Sequence, residues 1–332
     1  MKPDVICSNP RPTRRSLLVG GLGLASAALW GCGGGGSSST DPGSGGGGGG
    51  GGGAQPTGSL AYRNTGVVGV YSFSTRTELS FDPGLSPFVD PGMAVSRTGL
   101  VTAAREGQTN KNFSIAVFGL DGKLSTSYLV EREFSFQTSA AMFNADATRL
   151  AFSVDEPASA TNNTRIARTL VFSLPGGTQL AALDGYQEPV WAGSTGELIV
   201  RDSNTNALRV FDTNLVDKGP LASLVVTQLI GGYNLSADGR YVVYADASGS
   251  RLLAFDRSTG NSWVAATDTT SSLRTPALSP DGRFLAMVAR DLLNYVPHVV
   301  PFAPGSTVAV DSVVHALDNT LVECRGRIGW TA

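Results

Sequence analysis

The chain has 332 residues, enough for one large domain or two small ones, and it carries a formal net charge of −2. Residues 1–32 hold four basic side chains and one acidic one, and without them 21 basic and 26 acidic side chains remain. This acidic balance offers no basic stripe to neutralise phosphates, so nucleic acid is excluded as an expected partner.

The first 32 residues carry the features of a bacterial export signal. Cationic residues, including the pair Arg14 and Arg15, precede an uncharged and mostly apolar run at residues 16–30. This run is shorter than the roughly 20 apolar residues that a membrane-spanning helix needs, so it fits the apolar region of a signal peptide. The segment Thr-Arg-Arg-Ser-Leu-Leu at residues 13–18 resembles a twin-arginine export motif.

Residues 29–32, Leu-Trp-Gly-Cys, resemble the lipobox at which a signal peptidase cleaves before a cysteine that then carries lipid. Cys32 is therefore the predicted lipidation site, and its lipid is expected to anchor the protein in a membrane. The alternative is a cleaved signal without lipid that happens to contain Cys32. The first interpretation predicts a lipid-anchored protein of the cell envelope, either facing the periplasm or associated with the outer membrane.

Residues 33–58 are almost entirely glycine, serine, threonine, aspartate and proline. Such a segment has too little apolar surface to offset the entropy of ordering, so a disordered, flexible tether is predicted. No strand precedes its glycine run and no phosphate-loop lysine follows it, which disfavours a phosphate site. With Cys7 in the signal and Cys32 lipidated, Cys324 has no partner and is predicted to be a small core residue.

A repeated unit fills residues 59–332 and predicts the fold. Each copy is a short apolar strand, a tight polar turn and a second apolar strand, most clearly Leu-Ser-Pro-Asp-Gly-Arg-Phe-Leu-Ala at residues 278–286. In such a turn aspartate bonds to the backbone ahead of it, and glycine occupies the position with positive φ. The turn glycines or their equivalents stand at positions 99, 147, 196, 239, 282 and 326.

A second element, a short strand that ends in an aromatic residue, recurs six times and therefore also indicates six units. With residues 59–332 divided among six units, each unit has about 46 residues, which suits a four-stranded propeller blade. The predicted fold is therefore all-β, a six-bladed β-propeller, with seven blades as the minority interpretation. The six aromatic residues are Tyr71, Phe118, Phe172, Phe211, Phe255 and Phe302.

The N- and C-terminal strands are expected to close one blade. Residues 320–332 are predicted to supply an inner strand and part of a second strand, with residues 325–328 as the turn between them. Residues 59–81 are predicted to supply the outer strands of the same blade, which removes an exposed sheet edge. Residues 60–63 and residues 328–330 both resemble a second strand, and this surplus leaves seven blades open.

The stretch at residues 278–286 resembles the WD40-like repeat of TolB-type six-bladed propellers. The resemblance covers residues 59–332 and is strong in two units, fair in one and weak in the others. It implies a propeller that binds proteins in the cell envelope. The usual TolB has an additional N-terminal α/β domain, and here the glycine-rich tether stands in its place.

Few residues offer catalytic chemistry. The two histidines, His298 and His315, lie in apolar strand-like runs, where a structural role is expected because metal sites need several ligands within reach. The sequence contains no Gly-x-Ser-x-Gly, His-Glu-x-x-His or Cys-x-x-Cys motif. No catalytic residue, metal ligand or cofactor is therefore predicted.

Charged residues recur where the second strand of each unit ends. Because these ends lie on one face of a propeller, they predict a candidate binding face around the channel mouth. The alternative is that a strand leaving the sheet meets water and takes a charge. Long connections at residues 106–112 and 156–168 are expected to rise from the same face. The candidate residues are Arg63, Arg105, Asp155, Asp202 with its neighbour Arg201, Asp246, Arg290 and Asp291.

Together these patterns predict a noncatalytic, monomeric envelope lipoprotein whose propeller binds or scaffolds a protein or glycan partner, with the membrane reached through the lipid on Cys32. The alternative is a propeller enzyme of the hydrolase or lactonase type with its chemistry in the channel. A third hypothesis is a structural propeller without a small ligand.

Overall fold

The apolar runs of the repeated unit form β-strands, and the strands pair into six sheets. The structure, a computed structural model, describes residues 55–64, 67–82, 93–96, 100–106, 113–130, 141–159, 162–227, 232–291, 294–310 and 328–331. These described residues contain 24 strands and no α-helix, and all lie within the unit formed by residues 54–332. The predicted export motif, Cys32, His315 and Cys324 lie outside them.

Five sheets follow one another along residues 93–310, and the first three of these have four strands each. Sheet 2 contains β4 (Met93–Val95), β5 (Leu100–Glu106), β6 (Phe113–Gly119) and β7 (Leu124–Val130). Sheet 3 contains β8 (Ala141–Phe143), β9 (Arg149–Ser159), β10 (Asn162–Ser173) and β11 (Gln179–Asp184). Sheet 4 contains β12 (Tyr186–Trp191), β13 (Leu198–Asp202), β14 (Ala207–Phe211) and β15 (Asp217–Val225).

Of the other two sheets, one has five strands and the other has three. Sheet 5 contains β16 (Tyr233–Leu235), β17 (Tyr241–Ala245), β18 (Arg251–Asp256) and β19 (Ser262–Thr267). Sheet 6 contains β20 (Ser272–Leu278), β21 (Phe284–Asp291) and β22 (Asn294–Pro301). The chain then crosses back to sheet 5, where β23 (Val308–Ala309) pairs in parallel with β19.

Sheet 1 joins the two ends of the described chain. It contains β1 (Ser59–Asn64), β2 (Val67–Ser72), β3 (Thr77–Phe81) and, from the C-terminal end, β24 (Gly329–Thr331). β24 is antiparallel to β1, with Ser59 opposite Thr331, and the strand order is β24-β1-β2-β3. The chain ends therefore share one sheet, as the sequence predicted.

The predicted arrangement within sheet 1 was wrong in one respect. Gly329–Thr331 is the innermost strand, and β1 holds the second position, so residues 328–330 are not a surplus second strand. Residues 325–328 consequently precede the inner strand and cannot be the turn that follows it. The error arose because inner and second strands carry the same short apolar pattern, which does not distinguish their places in a sheet.

The turn between the first two strands of a repeat has the predicted backbone conformation. The backbone dihedral angle φ is +67° at Gly196, +73° at Gly239 and +69° at Gly282, in the left-handed region that favours glycine. Ala147 occupies the equivalent position at +57°. The repeat therefore fixes these hairpins through the same local geometry in four sheets.

The core of the described residues lies between the sheets, because buried apolar side chains of neighbouring sheets pack in shared clusters. Successive sheets share buried clusters, and sheet 6 packs against sheet 1 in the same way. The predicted all-β class and propeller arrangement are confirmed. Residues at these contacts are Ala61, Val70 and Val95 (sheets 1 and 2), Val117, Phe143 and Leu150 (2 and 3), Ala151, Trp191 and Leu198 (3 and 4), Ile199, Tyr233 and Val242 (4 and 5), Leu252, Leu285 and Met287 (5 and 6), and Ala277, Phe284 and Leu60 (6 and 1).

Candidate functional site

The second strands of the sheets, β1, β5, β9, β13, β17 and β21, all run in the same sense, so their ends lie on one side of the propeller. We call this side the strand-end face. The candidate residues of the predicted binding face lie at or near strand ends, except Asp155, which lies within the longer strand β9 (Arg149–Ser159). For Arg63, Arg105 and Asp291 the structure describes the backbone alone. The other four candidates have side chains whose surroundings are described.

Two of these four side chains, both carboxylates, brace turns. Asp202 accepts hydrogen bonds from the backbone N–H groups of Asn204 (2.9 Å) and Thr205 (3.0 Å), and these bonds lower its pKa. Asp246 is buried, which by itself raises its pKa, but the hydroxyl of Ser248 and the guanidinium of Arg251 (2.8 Å) outweigh burial and lower it. Both groups are therefore held ionised within their own hairpins.

Arg290 and Asp155 are half-buried on the same face. The Arg290 guanidinium carbon lies 5.3 Å from the centre of the Tyr295 ring, close enough for a cation–π contact. Asp155 lies opposite Ala167 in the pairing of β9 with β10. The two residues are on different sheets, Asp155 on sheet 3 and Arg290 on sheet 6.

Arg201, next to Asp202, differs from the sequence expectation of a charge at the water boundary. Its side chain is 1% exposed, and its Nη1 donates a hydrogen bond to Asn206 Oδ1. In β13 residues 198–201 are all buried and Asp202 is half-buried. The strand pattern Leu-Ile-Val-Arg-Asp contained that signal, because its apolar run continues on both faces up to Arg201.

A long β-ribbon projects from the strand-end face. β9 has 11 residues and β10 has 12, whereas β13 and β17 have five each. The six additional residues of β9 carry the ribbon about 20 Å beyond those strands. The long connection predicted at residues 156–168 was wrong: the backbone pairs from Ser159 and Asn162 down to Arg149 and Ser173.

The base of the ribbon is fastened to sheet 3. Arg168 on β10 forms a two-pronged ion pair with Asp184 at the end of β11, with Nη2 3.0 Å from Oδ2. The pairing of β10 with β11 stops at this ion pair, and that of β9 with β8 stops at Phe152. Beyond these points the ribbon pairs with no strand among the described residues.

The opposite side, which we call the hairpin face, opens into a small cavity on the propeller axis. The cavity has a volume of about 70 Å³, and its described lining contains no charged residue. Trp191 Nε1 donates to Met142 O (3.2 Å), and Trp330 Nε1 donates to Thr57 O (2.8 Å), so both indole groups are held in place. Each sheet contributes to the lining, for example through Trp330, Ser96, Asn144, Trp191, Asn234 and Leu278.

Ionisable groups in the described residues are engaged mainly in turns and ion pairs. Among them there is no group of three or more histidine, cysteine, aspartate or glutamate residues that could hold a metal ion. His298 lies on β22 at the contact between sheets 5 and 6, and burial lowers its pKa. No helix in the described part of the chain is long and apolar enough to span a membrane.

No protein-family model and no curated protein matches the chain. Among solved structures, TolB from Acinetobacter baumannii has a similar fold, with a TM-score of 0.53 and 15% identity over 74% of this chain. The match spans 61% of that TolB chain, less than two thirds of its length. A chain of the mitotic checkpoint complex matches with a TM-score of 0.46 and 15% identity, covering 68% of this chain and 64% of that one. The likeness to TolB shows the fold alone.

Proposed function

We propose that this protein is a noncatalytic lipoprotein of the cell envelope whose propeller is a platform for a protein or glycan partner. In this proposal the six sheets are the six blades of one closed ring, completed by the pairing of β24 with β1. A closed ring without exposed strand edges at its seam gives a rigid support for surface loops. The fold likeness to TolB agrees with such a role.

The observation that carries the proposal is the ribbon on the strand-end face. An isolated two-stranded hairpin is marginally stable in water, so a ribbon that extends beyond its sheet has no evident use in holding the fold. It rises beside Asp155, on the same side as the other candidate residues, Arg63, Arg105, Asp202, Asp246, Arg290 and Asp291. We assign partner binding to this face.

The cavity on the hairpin face favours the hypothesis of a binding platform rather than that of an enzyme with its chemistry in the channel. Sites for small molecules usually measure about 300–1,000 Å³ and place a few polar groups so that they converge on the ligand. The cavity here is about 70 Å³ and has an uncharged lining. A hydrolase or lactonase is therefore the second hypothesis.

The N-terminal segment is proposed to anchor this platform. Export through the Arg14–Arg15 motif, lipidation of Cys32 and a tether over residues 33–58 would hold a monomeric propeller near a membrane of the envelope. At about 5–6 Å multiplied by the square root of the residue number, the tether allows a reach of about 25–30 Å.

Site-specific photo-crosslinking in cells tests the binding face. A benzoylphenylalanine at Thr164, on the ribbon, should capture one discrete partner, whereas the same group at Thr213, on an exposed turn of the hairpin face, should not. Retention on peptidoglycan that depends on the ribbon would identify a glycan partner. A partner captured from Thr213 but not from Thr164 would place binding on the opposite face and refute the assignment.

Fractionation tests the anchor separately. Cys32→Ser should move the protein from the membrane to the soluble fraction and abolish incorporation of a labelled fatty acid, because the lipid supplies the membrane affinity. Cys7→Ser is the matched control and should leave both unchanged. Membrane retention of the Cys32→Ser protein would show that lipid on this residue is not the anchor.

A further inference from the structure

The contact between sheets 5 and 6 contains polar atoms that lack partners. The Nδ1 atom of His298, the Nε1 atom of Trp263 and the Oγ1 atom of Thr275 are buried and form no hydrogen bond with the described residues. His298 and Thr275 belong to sheet 6, and Trp263 belongs to sheet 5. Such groups weaken a contact because each loses its hydrogen bonds to water without a replacement.

His298 points into this contact. On β22 it lies opposite Met287, and its alternate neighbour Val300 joins Met287 in the cluster shared with sheet 5. A neutral imidazole suits these apolar surroundings, whereas a buried imidazolium needs acceptors for both of its N–H groups. Gaining a proton therefore costs more here than in water.

Few charged groups bear on this histidine. The carboxylate of Asp268, which directly follows β19, acts on it and opposes the stronger effect of burial. Arg290, on the neighbouring strand β21, lies over Tyr295 instead. Arg251, on β18, is bound to Asp246. Of the described charges around β22, Asp268 is thus the one that bears on His298.

A short strap spans the same contact. After β22 the chain runs through residues 302–307 to β23, which pairs with β19 of sheet 5. The Thr307 hydroxyl donates a hydrogen bond to Val264 O (2.7 Å), and Phe302 packs against Trp263 and Tyr241. The two-residue pairing of β23 is short, so it is the part of this contact that can open without unfolding either sheet.

We propose that His298 makes the contact between sheets 5 and 6 an acid-sensitive seam, which loosens by release of the strap when the imidazole gains a proton. This device is independent of the partner proposed above. Because the pKa of His298 is lower in the folded chain than its ordinary value of 6.5, the unfolded or opened form takes up a proton first as the pH falls. Closure is complete above pH 6.5 and is lost as the pH falls from 6.5 towards the lowered pKa.

Hydrogen exchange of the full chain, corrected for the intrinsic effect of pH, tests this seam. Between pH 7.5 and pH 5, peptides covering β19 and β23 should lose protection, while peptides covering β13 and β14 keep theirs. His298→Leu should remove this difference, and His315→Gln, which changes the only other histidine, should not. Equal loss in all sheets, or an unchanged loss in His298→Leu, would overturn the proposal.

A second measurement tests the proposal even if His298→Leu fails to fold. The ring protons of His298 in the otherwise unchanged chain should titrate below 6.5 by NMR, with His315→Gln giving the assignment. Asp268→Asn should shift this titration to lower pH and enlarge the loss of protection at pH 5, because the carboxylate favours the protonated ring of the closed form. Titration at or above 6.5, or a shift to higher pH in Asp268→Asn, would contradict an acid-sensitive seam at His298.

Discussion

Gly329 lies on the innermost strand of sheet 1, where the backbone passes close to Val95 of sheet 2. A Cβ atom at position 329 would lie 2.5 Å from Val95 Cβ and 2.7 Å from Val95 Cγ2, so Gly329→Ala must push two sheets apart. We expect it to reduce the free energy of unfolding by about 1–3 kcal/mol in urea titrations. Gly176→Ala, whose nearest neighbouring atom is 3.8 Å away, is the control and should change it by less than about 0.5 kcal/mol. Equal effects of the two substitutions would contradict this explanation.

The backbone of Ala147 is strained, as comparison with the equivalent glycines of the other repeats indicates. It has φ of +57° at the turn position where three other sheets have glycine. Ala147→Gly should therefore raise the free energy of unfolding, by about 0.5–1 kcal/mol, since relief of the left-handed strain exceeds the entropy lost by glycine. Ala145→Gly, in the same turn but without positive φ, should lower it. A loss of stability at both positions would show that the backbone at 147 is not strained.

At the scale of single elements, the hairpin between β17 and β18 depends on one carboxylate. Arg240 donates from Nε to Asp256 Oδ1 (3.1 Å) and from Nη2 to Oδ2 (2.7 Å), and Ser258 also binds Oδ1. These bonds, that from Arg240 above all, hold the pKa of Asp256 well below its ordinary value of 3.8. The hairpin is stabilised above pH 3.8, and this contribution is lost as the pH falls from 3.8 towards the lowered pKa.

Asp256→Asn should remove this acid dependence. We expect the urea midpoint of the variant to fall less than that of the parent chain between pH 5 and pH 2.5. Arg240→Met should have a smaller effect in the Asp256→Asn background than alone, because the two side chains act through one contact. Additive effects at pH 7 would mean that the pair is not coupled.

The elements that were predicted well from the sequence are those whose conformation depends on residues close to one another in the chain. The Ser-Pro-Asp-Gly turn gave the hairpin at Gly282, and the aromatic residues gave the third strands, such as β18 with Phe255. The ribbon was missed because residues 156–165 are mostly polar and lack the apolar alternation of a half-buried strand. Burial of Arg201 was also missed, since a charged residue at a strand end is usually solvated.

For the whole molecule, the sequence predicted the propeller but not how its ends fit together. Inner and second strands carry the same pattern, and only pairing across the entire domain decides that Ile328 leads into the inner strand. The candidate face was predicted as a set of strand ends, and its side chains proved to differ: Asp246 braces a turn, while Arg290 lies over Tyr295. Contacts of that kind depend on neighbouring strands rather than on position in the repeat.

Removal of residues 328–332 tests the closure of the propeller. The deletion takes away β24 with the buried side chain of Trp330 and leaves an unpaired inner edge on β1. We expect a loss of at least about 3–5 kcal/mol, comparable with truncation of a buried tryptophan, and a broader calorimetric transition. A circular permutant that joins residue 332 to residue 55 and opens at Thr213 should keep the parent transition. Parent-like unfolding of the deletion would show that β24 contributes little.

Pairing of β24 with β1 also affects when the protein can reach its native state during synthesis. Thr331 donates to the carbonyl of Ser59, 272 residues earlier, so sheet 1 cannot be completed until residues 329–331 have emerged from the ribosome. Contacts of such long range fold slowly, and the waiting N-terminal strands expose an edge in the meantime.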